Sequence, residues 1–180
     1  MFSLLADADI KLRMVKIGGG FPARYRSEVS PIAHYAAAVT TALTRHFGNQ
    51  VPEIIVEPGR SLVGDAGVIQ SEVVLIADKG DGSKRWVYLD AGKFNGLAET
   101  MGESIKYRIE APGRGGPAGP VVIAGPTCDS ADILYEATEY RLPLSLSVGD
   151  KLEILSTGAY TASYASVGFN GFPPMRTYCI

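Results

Sequence analysis

Apolar and polar positions change period along the chain, and the changes outline its elements. Residues 2–12 carry apolar side chains at helical spacing and predict the tail of an amphipathic helix, with no N-cap signal of its own. Residues 13–17 alternate basic and apolar side chains over a length that suits a strand, and Gly18, Gly19 and Gly20 follow directly. Ser30 and Pro31 predict a helix start, with serine as N-cap and proline at the first helical position. Ile32, Tyr35, Ala36, Val39, Leu43 and Phe47 then recur at helical spacing, and Gly48 closes the helix. Residues 54–56 form a short apolar strand that ends at Glu57. Strand, helix, strand in this order predicts a parallel βαβ unit. Gly18 and Glu57 then stand at the carboxyl ends of its strands, where α/β barrels and doubly wound sheets bind ligands.

Beyond about residue 64 the pattern becomes that of strands. Residues 68–77 are long and β-branched, residues 79–84 form a turn cluster and residues 85–90 resume as a strand, which predicts a β-hairpin. Residues 112–120 are rich in Gly and Pro and predict an exposed loop. Residues 121–124 and 152–155 add further strands. The expected organisation is an α/β part over residues 1–64 and an antiparallel β-domain over residues 65–180.

Several clusters carry candidate chemistry. Three successive glycines leave the backbone amides open to an anion such as phosphate, or simply permit a tight loop at positive φ. Glu57 and Arg60 flank Pro58-Gly59, which fixes their relative direction. Arg60 offers forked donors to phosphate and Glu57 an acceptor for a protonated ring nitrogen; an ordinary surface ion pair is the plainer alternative. Residues 125–132 (Gly-Pro-Thr-Cys-Asp-Ser-Ala-Asp) set the Cys128 thiol beside the Asp129 carboxylate. They suit a proton donor and an amine contact, or a small buried Cys next to an Asx turn. Tyr160 and Phe169 follow the last strand, as a phenol that donates to a phosphate oxygen and a pocket wall, or as cover for a core edge. His46 sits where it complements a helix dipole, and two histidines with two distant cysteines give no metal-ligand spacing.

Composition narrows the classes. The 180 residues are 46% hydrophobic, enough for a core, and the net charge of −2 without a Lys/Arg block argues against nucleic-acid or anionic-membrane partners. No signal-peptide pattern and no long apolar run is present, so a cytoplasmic location is the expectation. Cys128 and Cys179 are expected as free thiols in a reducing compartment, with one disulfide as the alternative.

In order, the motifs GGGFP, EPGR, GPTCDSAD, GAYT and FNGF resemble those of the pyridoxal-phosphate decarboxylases of the alanine-racemase-like fold, over nearly the whole chain. Ornithine decarboxylases are the members it resembles most, and it corresponds to their C-terminal part. The resemblance implies the terminal βαβ portion of a TIM-type barrel that holds pyridoxal 5'-phosphate, followed by an antiparallel β-barrel or sandwich whose C-terminal segment returns to the active site. It also implies roles. Gly18, Gly19 and Gly20 would cradle the cofactor phosphate, completed by Arg60 and Tyr160, and Glu57 would pair with the pyridinium nitrogen. Cys128 would supply a proton as the catalytic residue, Asp129 would hold the distal ammonium of the substrate, and Phe169 would line its pocket. The family's other acidic contact would fall at Ala91, where Asp90 is the neighbouring substitute. Because Cys128 and Asp129 reach a neighbouring subunit's site in this family, a homodimer is implied. The Schiff-base lysine of the family would precede residue 1, so the chain alone is expected to be inactive without a complementing N-terminal barrel segment. Lys16, beside the glycines, matches no family motif and is expected to be structural. The expected reaction is conversion of L-ornithine to putrescine. The alternatives are lysine or diaminopimelate decarboxylation, and a non-catalytic dimerisation or regulatory fragment.

Overall fold

The computed structural model describes residues 2–78, 80 and 84–180. Its chain divides into two compact units, Met1–Leu62 and Val63–Ile180.

The first unit contains α1 (Phe2–Asp7), β1 (Met14–Gly18), α2 (Ile32–Phe47) and β2 (Glu53–Val56). β1 and β2 pair in parallel, with Val15 opposite Ile54 and Gly18 opposite Val56, and α2 is the crossover between them. The helix expected over residues 2–12 is confined to α1: Asp9 takes a φ of 53°, outside the helical region. Phe2 reaches the end of α2, with its ring 5.2 Å from His46 and 5.1 Å from Phe47. Ser30 is not the cap of α2. Pro31 occupies the N-cap at extended angles and no side chain bonds the first turn, because proline's ring already sets the entering backbone. Gly48 closes the helix as expected, at φ 57° with its N–H on Thr44 O. α2 buries none of its residues, and Ala23 is the only buried side chain up to Leu62 among the described residues.

The second unit follows α3 (Arg60–Val63), which straddles the boundary. It is built on β3 (Val68–Ala77), β4 (Arg85–Leu89), β5 (Ile109–Glu110), β6 (Ala118–Ala124), β7 (Ile133–Pro143) and β8 (Lys151–Leu155). They form one sheet in the order β5-β8-β3-β4-β6-β7. β3 serves two neighbours: Val68 to Glu72 pair with β8, and Val73 to Ala77 pair with β4 across an irregularity. The sheet is mixed and not purely antiparallel, since β4 and β6 run parallel with Val87 opposite Ile123. The expected hairpin partners do pair antiparallel, but turn residues 79 and 81–83 lie outside the described residues. The loop expected over residues 112–120 ends early, because Ala118, Gly119 and Pro120 already pair with β7.

Alternation places the core. In β8 the Leu152 and Ile154 side chains turn inward, and Val73, Val87, Leu89, Val121, Ile123, Leu134 and Leu142 are likewise buried. Tyr135 and Tyr140 stack with centroids 4.2 Å apart. Tyr107 is clamped between them: its N–H donates to the Tyr135 hydroxyl (3.0 Å), and the Tyr140 hydroxyl donates to its carbonyl (2.6 Å). Burial, with Tyr140 adding to it, pushes the Tyr135 phenol well above its ordinary pKa.

β7 is the strand that the pattern missed. Val121 faces Tyr140 and Ile123 faces Tyr135, so β7 carries extra residues across this step and forms a bulge. The N–H groups of Glu136, Ala137 and Thr138 turn to the Glu103 carboxylate at 2.7, 2.8 and 2.7 Å. Burial alone would raise the Glu103 pKa. Hydrogen bonds from the Thr138 side chain and from those three amides outweigh it and hold the group at about 2.

Candidate functional site

The glycine triplet ends β1, and each member has a separate reason to be glycine. Gly18 and Gly20 lie at φ 83° and 85°, a region that side chains disfavour. At Gly19 a Cβ would stand 2.6 Å from the Glu57 carbonyl oxygen. Glu57 N–H donates to Gly18 O at 2.8 Å, so the turn after β2 is pinned to the glycine loop. The result is a bare-backbone cradle beside an acid. A Cβ at Gly19 would collide with the Glu57 carbonyl, so the loop stays bare backbone, the chemistry that a phosphate ester would use.

The acid has a neighbour. Lys16 Nζ lies 2.9 Å from Glu57 Oε1, with both side chains more than half exposed. Arg60 Nη1 donates to the Tyr25 hydroxyl at 2.6 Å, and its guanidinium carbon stands 5.8 Å from that ring's centroid. Gly18, Gly19, Gly20, Glu57 and Arg60 therefore share the first unit. Tyr25 was not singled out in the sequence, since an isolated tyrosine in a loop gives no local sign of its partner.

The other candidate residues lie in the second unit. Cys128 is exposed and adopts φ 59°, and Cys179 is also an exposed free thiol, so neither forms the alternative disulfide. Asp129 is exposed too, and its Oδ1 accepts from Ala131 N–H at 2.8 Å, the Asx-type turn that its spacing suggested. Among the described residues its Oδ2 has no protein partner. Asp132, four residues after Cys128, is 1% exposed and binds three donors: Lys93 N–H at 2.7 Å, Thr127 N–H at 3.2 Å and Thr127 Oγ1 at 2.7 Å. Burial lowers the Lys93 ammonium pKa, opposed by the Asp132 and Glu103 carboxylates.

Asp90 is exposed at the end of β4, but its Oδ1 already accepts from Ser71 Oγ (2.6 Å) and Glu72 N–H (2.8 Å), tying β4 to β3. Phe169 stacks on Phe94 at 3.9 Å, and Asn170 Nδ2 donates to Thr127 O at 3.0 Å. The loops that carry Asp90, Cys128–Asp129 and Phe169 are thus linked through Lys93–Asp132–Thr127–Asn170 and Phe94–Phe169. Tyr160 stands half-exposed at φ 56° in a turn held from below. There Gly158 N–H donates to Gly64 O, a Gly158 Cβ would overlap Val63 O, and Ser156 Oγ donates to Asp65 Oδ1 at 2.6 Å.

No group of three or more His, Cys, Asp or Glu among the described residues could hold a metal ion. No helix of the described residues is long and apolar enough to cross a membrane.

Residues 6–158 match the family model described as pyridoxal-dependent decarboxylase, C-terminal sheet domain. The chain is 36% identical over 168 residues to the diaminopimelate decarboxylase of Staphylococcus aureus (strain COL), covering 90% of this chain and 39% of that protein. It is 30% identical over 174 residues to the lysine/ornithine decarboxylase of Selenomonas ruminantium, covering 96% of this chain and 42% of that protein. The solved structure of the Vibrio vulnificus lysine/ornithine decarboxylase complexed with cadaverine superposes with a TM-score of 0.83 at 30% identity, over 99% of this chain and 47% of that one. The chain belongs to this family of pyridoxal-phosphate-dependent decarboxylases and spans about two fifths of the length of the curated relatives it matches. These relatives act on diaminopimelate, or on lysine and ornithine; an ornithine-specific enzyme is not what they indicate.

Proposed function

We propose that this chain is part of an enzyme that decarboxylates a basic amino acid with pyridoxal phosphate, and that its first unit carries the cofactor's phosphate. The observation that carries this reading is the glycine loop, in which two glycines at positive φ and a third against the Glu57 carbonyl keep the backbone bare beside a carboxylate. When bound, the cofactor supplies an electron sink for the charge left as carbon dioxide departs. The chain's own residues do the rest. The glycine amides would orient the phosphate, with Arg60 as a forked donor once its hydroxyl partner Tyr25 yields, and the Tyr160 hydroxyl would donate a hydrogen bond to a phosphate oxygen. Glu57, held by the glycine loop, would accept from the ring nitrogen and keep it protonated, and Lys16 balances that carboxylate when the site is free. Cys128 delivers a proton from its exposed thiol to the carbon that loses the carboxylate. The free Oδ2 of Asp129 receives the distal ammonium of the substrate.

A lone carboxylate suits the simple terminal amine of lysine or ornithine, and the Vibrio vulnificus and Selenomonas ruminantium relatives support that choice. Diaminopimelate, with a carboxylate of its own at that end, is the competing substrate and is supported by the 36% identity to the S. aureus protein. Catalysis is proposed for an assembly, a homodimer that includes the remaining barrel segments. The absence of buried residues in α2 favours such partners, since the helix has an apolar stripe with nothing of its own unit to bury it fully.

The test is carbon dioxide release from lysine, ornithine and diaminopimelate by the chain together with a polypeptide that supplies the rest of the barrel. Turnover of lysine or ornithine, lost at least tenfold in Asp129→Asn through KM, is expected. Turnover of diaminopimelate alone would overturn the substrate choice, and no carbon dioxide from any of the three would overturn the reading.

A further inference from the structure

We propose that Asp132 is a positioning residue that holds Cys128 in its left-handed backbone and so sets the direction of the Cys128–Asp129 pair. The inference rests on the roles given above to those two residues.

Cys128 needs such a device. A non-glycine residue at φ 59° is strained and persists only where its surroundings over-determine it. Asp132 supplies five hydrogen bonds around it. Its carboxylate takes the N–H and hydroxyl of Thr127, the residue before Cys128. Its own N–H donates at 2.9 Å to the carbonyl of Asp129, the residue after. Its carbonyl accepts from Gly125 N–H at 2.8 Å and closes the loop at its base. Its other carboxylate oxygen accepts from Lys93 N–H and joins the loop to the segment after β4.

The space around the carboxylate is made for it. A Cβ on Gly92 would lie 2.5 Å from Oδ1, and a Cβ on Gly125 would overlap the carboxylate outright. Two backbones approach as closely as only glycine permits, and both approach the same side chain. A carboxylate at 1% exposure is costly to bury, and a hydrophobic residue would fill the space more cheaply if filling were all that was needed. What an apolar residue lacks is the set of acceptors that fixes Thr127 and Lys93. Thr127 passes the restraint on, because its carbonyl accepts from Asn170 beside Phe169.

The experiment uses the full chain in a Cys179→Ser background, where Cys128 is the sole thiol. NMR reads the Cys128 backbone angle, and amide exchange is followed residue by residue. In Asp132→Asn one acceptor oxygen becomes an NH2 that faces a donor. The left-handed signature of Cys128 is expected to average out, and the Lys93 and Thr127 amides to exchange at least tenfold faster. Val87, Ile123 and Leu152 in the strands should keep their protection. An unchanged Cys128 angle with unchanged exchange would overturn the inference, as would an equal loss of protection across all strands, which is what a merely structural residue would give. Thr127→Val, which removes one donor and keeps the fold's backbone bonds, is expected to speed Lys93 and Thr127 exchange about threefold, and no change there would also overturn it. If the loop loosens as expected while Cys128→Ala leaves decarboxylation by the assembled enzyme intact, the positioning stands and the role given to Cys128 falls.

Discussion

Glu103 shows how far one side chain reaches. It carries φ 55° and spends both carboxylate oxygens on three consecutive amides of β7, which would otherwise be left without strand partners. Its pKa is held at about 2, below the ordinary 4.5, so the folded state favours the ionised form. The sign follows from linkage. The stabilisation is fully present above the unfolded-state value near 4.5 and is lost as pH falls from there towards 2. The urea midpoint of the chain is therefore expected to fall between these values, and Glu103→Gln to flatten that limb. An acid limb of unchanged slope in Glu103→Gln would assign the loss to other carboxylates. The glycine loop could be read from sequence because φ preference is local: three glycines in a row announce positive φ without any knowledge of neighbours. The roles of Tyr25 and Asp132 could not, because each is defined by a partner brought to it by folding.

At the scale of elements, β4, β8 and α2 were legible from their periods and β3 from its long β-branched run, although its pairing shifts within that run. β7 was not. Its middle, Glu136 to Glu139, is polar where the bulge leaves the ladder, so alternation fails where pairing is replaced by Glu103. β5 is two residues long and leaves no periodic trace, and the parallel pairing of β4 with β6 depends on which strands meet in space. The Tyr135–Tyr107–Tyr140 clamp stabilises β7 against the segment before β5. Tyr135→Phe would leave Tyr107 N–H without its acceptor and Ile105 O without its donor. A loss of about 1–3 kcal/mol is expected by chemical denaturation. A loss below about 0.5 kcal/mol would mean that water or a shifted neighbour satisfies both groups.

At the scale of the whole molecule, the two units differ in how much they bury. The second has a continuous apolar core, whereas the first buries Ala23 alone among the described residues. Amide exchange is expected to leave β3, β4 and β6 protected for far longer than α2, which has no buried side chain to resist local opening. Equal protection in both units would show that the first is stabilised by association. The order of the motifs carried the family, and the family match over residues 6–158 bears that out at its coarser level. Substrate choice was less legible, because one carboxylate at position 129 separates lysine and ornithine from diaminopimelate only through what faces it. The account depends most on the phosphate cradle, and one titration tests it directly. Pyridoxal phosphate and unphosphorylated pyridoxal are added in turn to the isotope-labelled chain while the amide resonances of Gly18, Gly19, Gly20 and Glu57 are followed. Saturable shifts at those amides with the phosphate ester, absent with pyridoxal and lost in Gly19→Ala, are expected; equal shifts with both compounds, or none at the glycines, would contradict it.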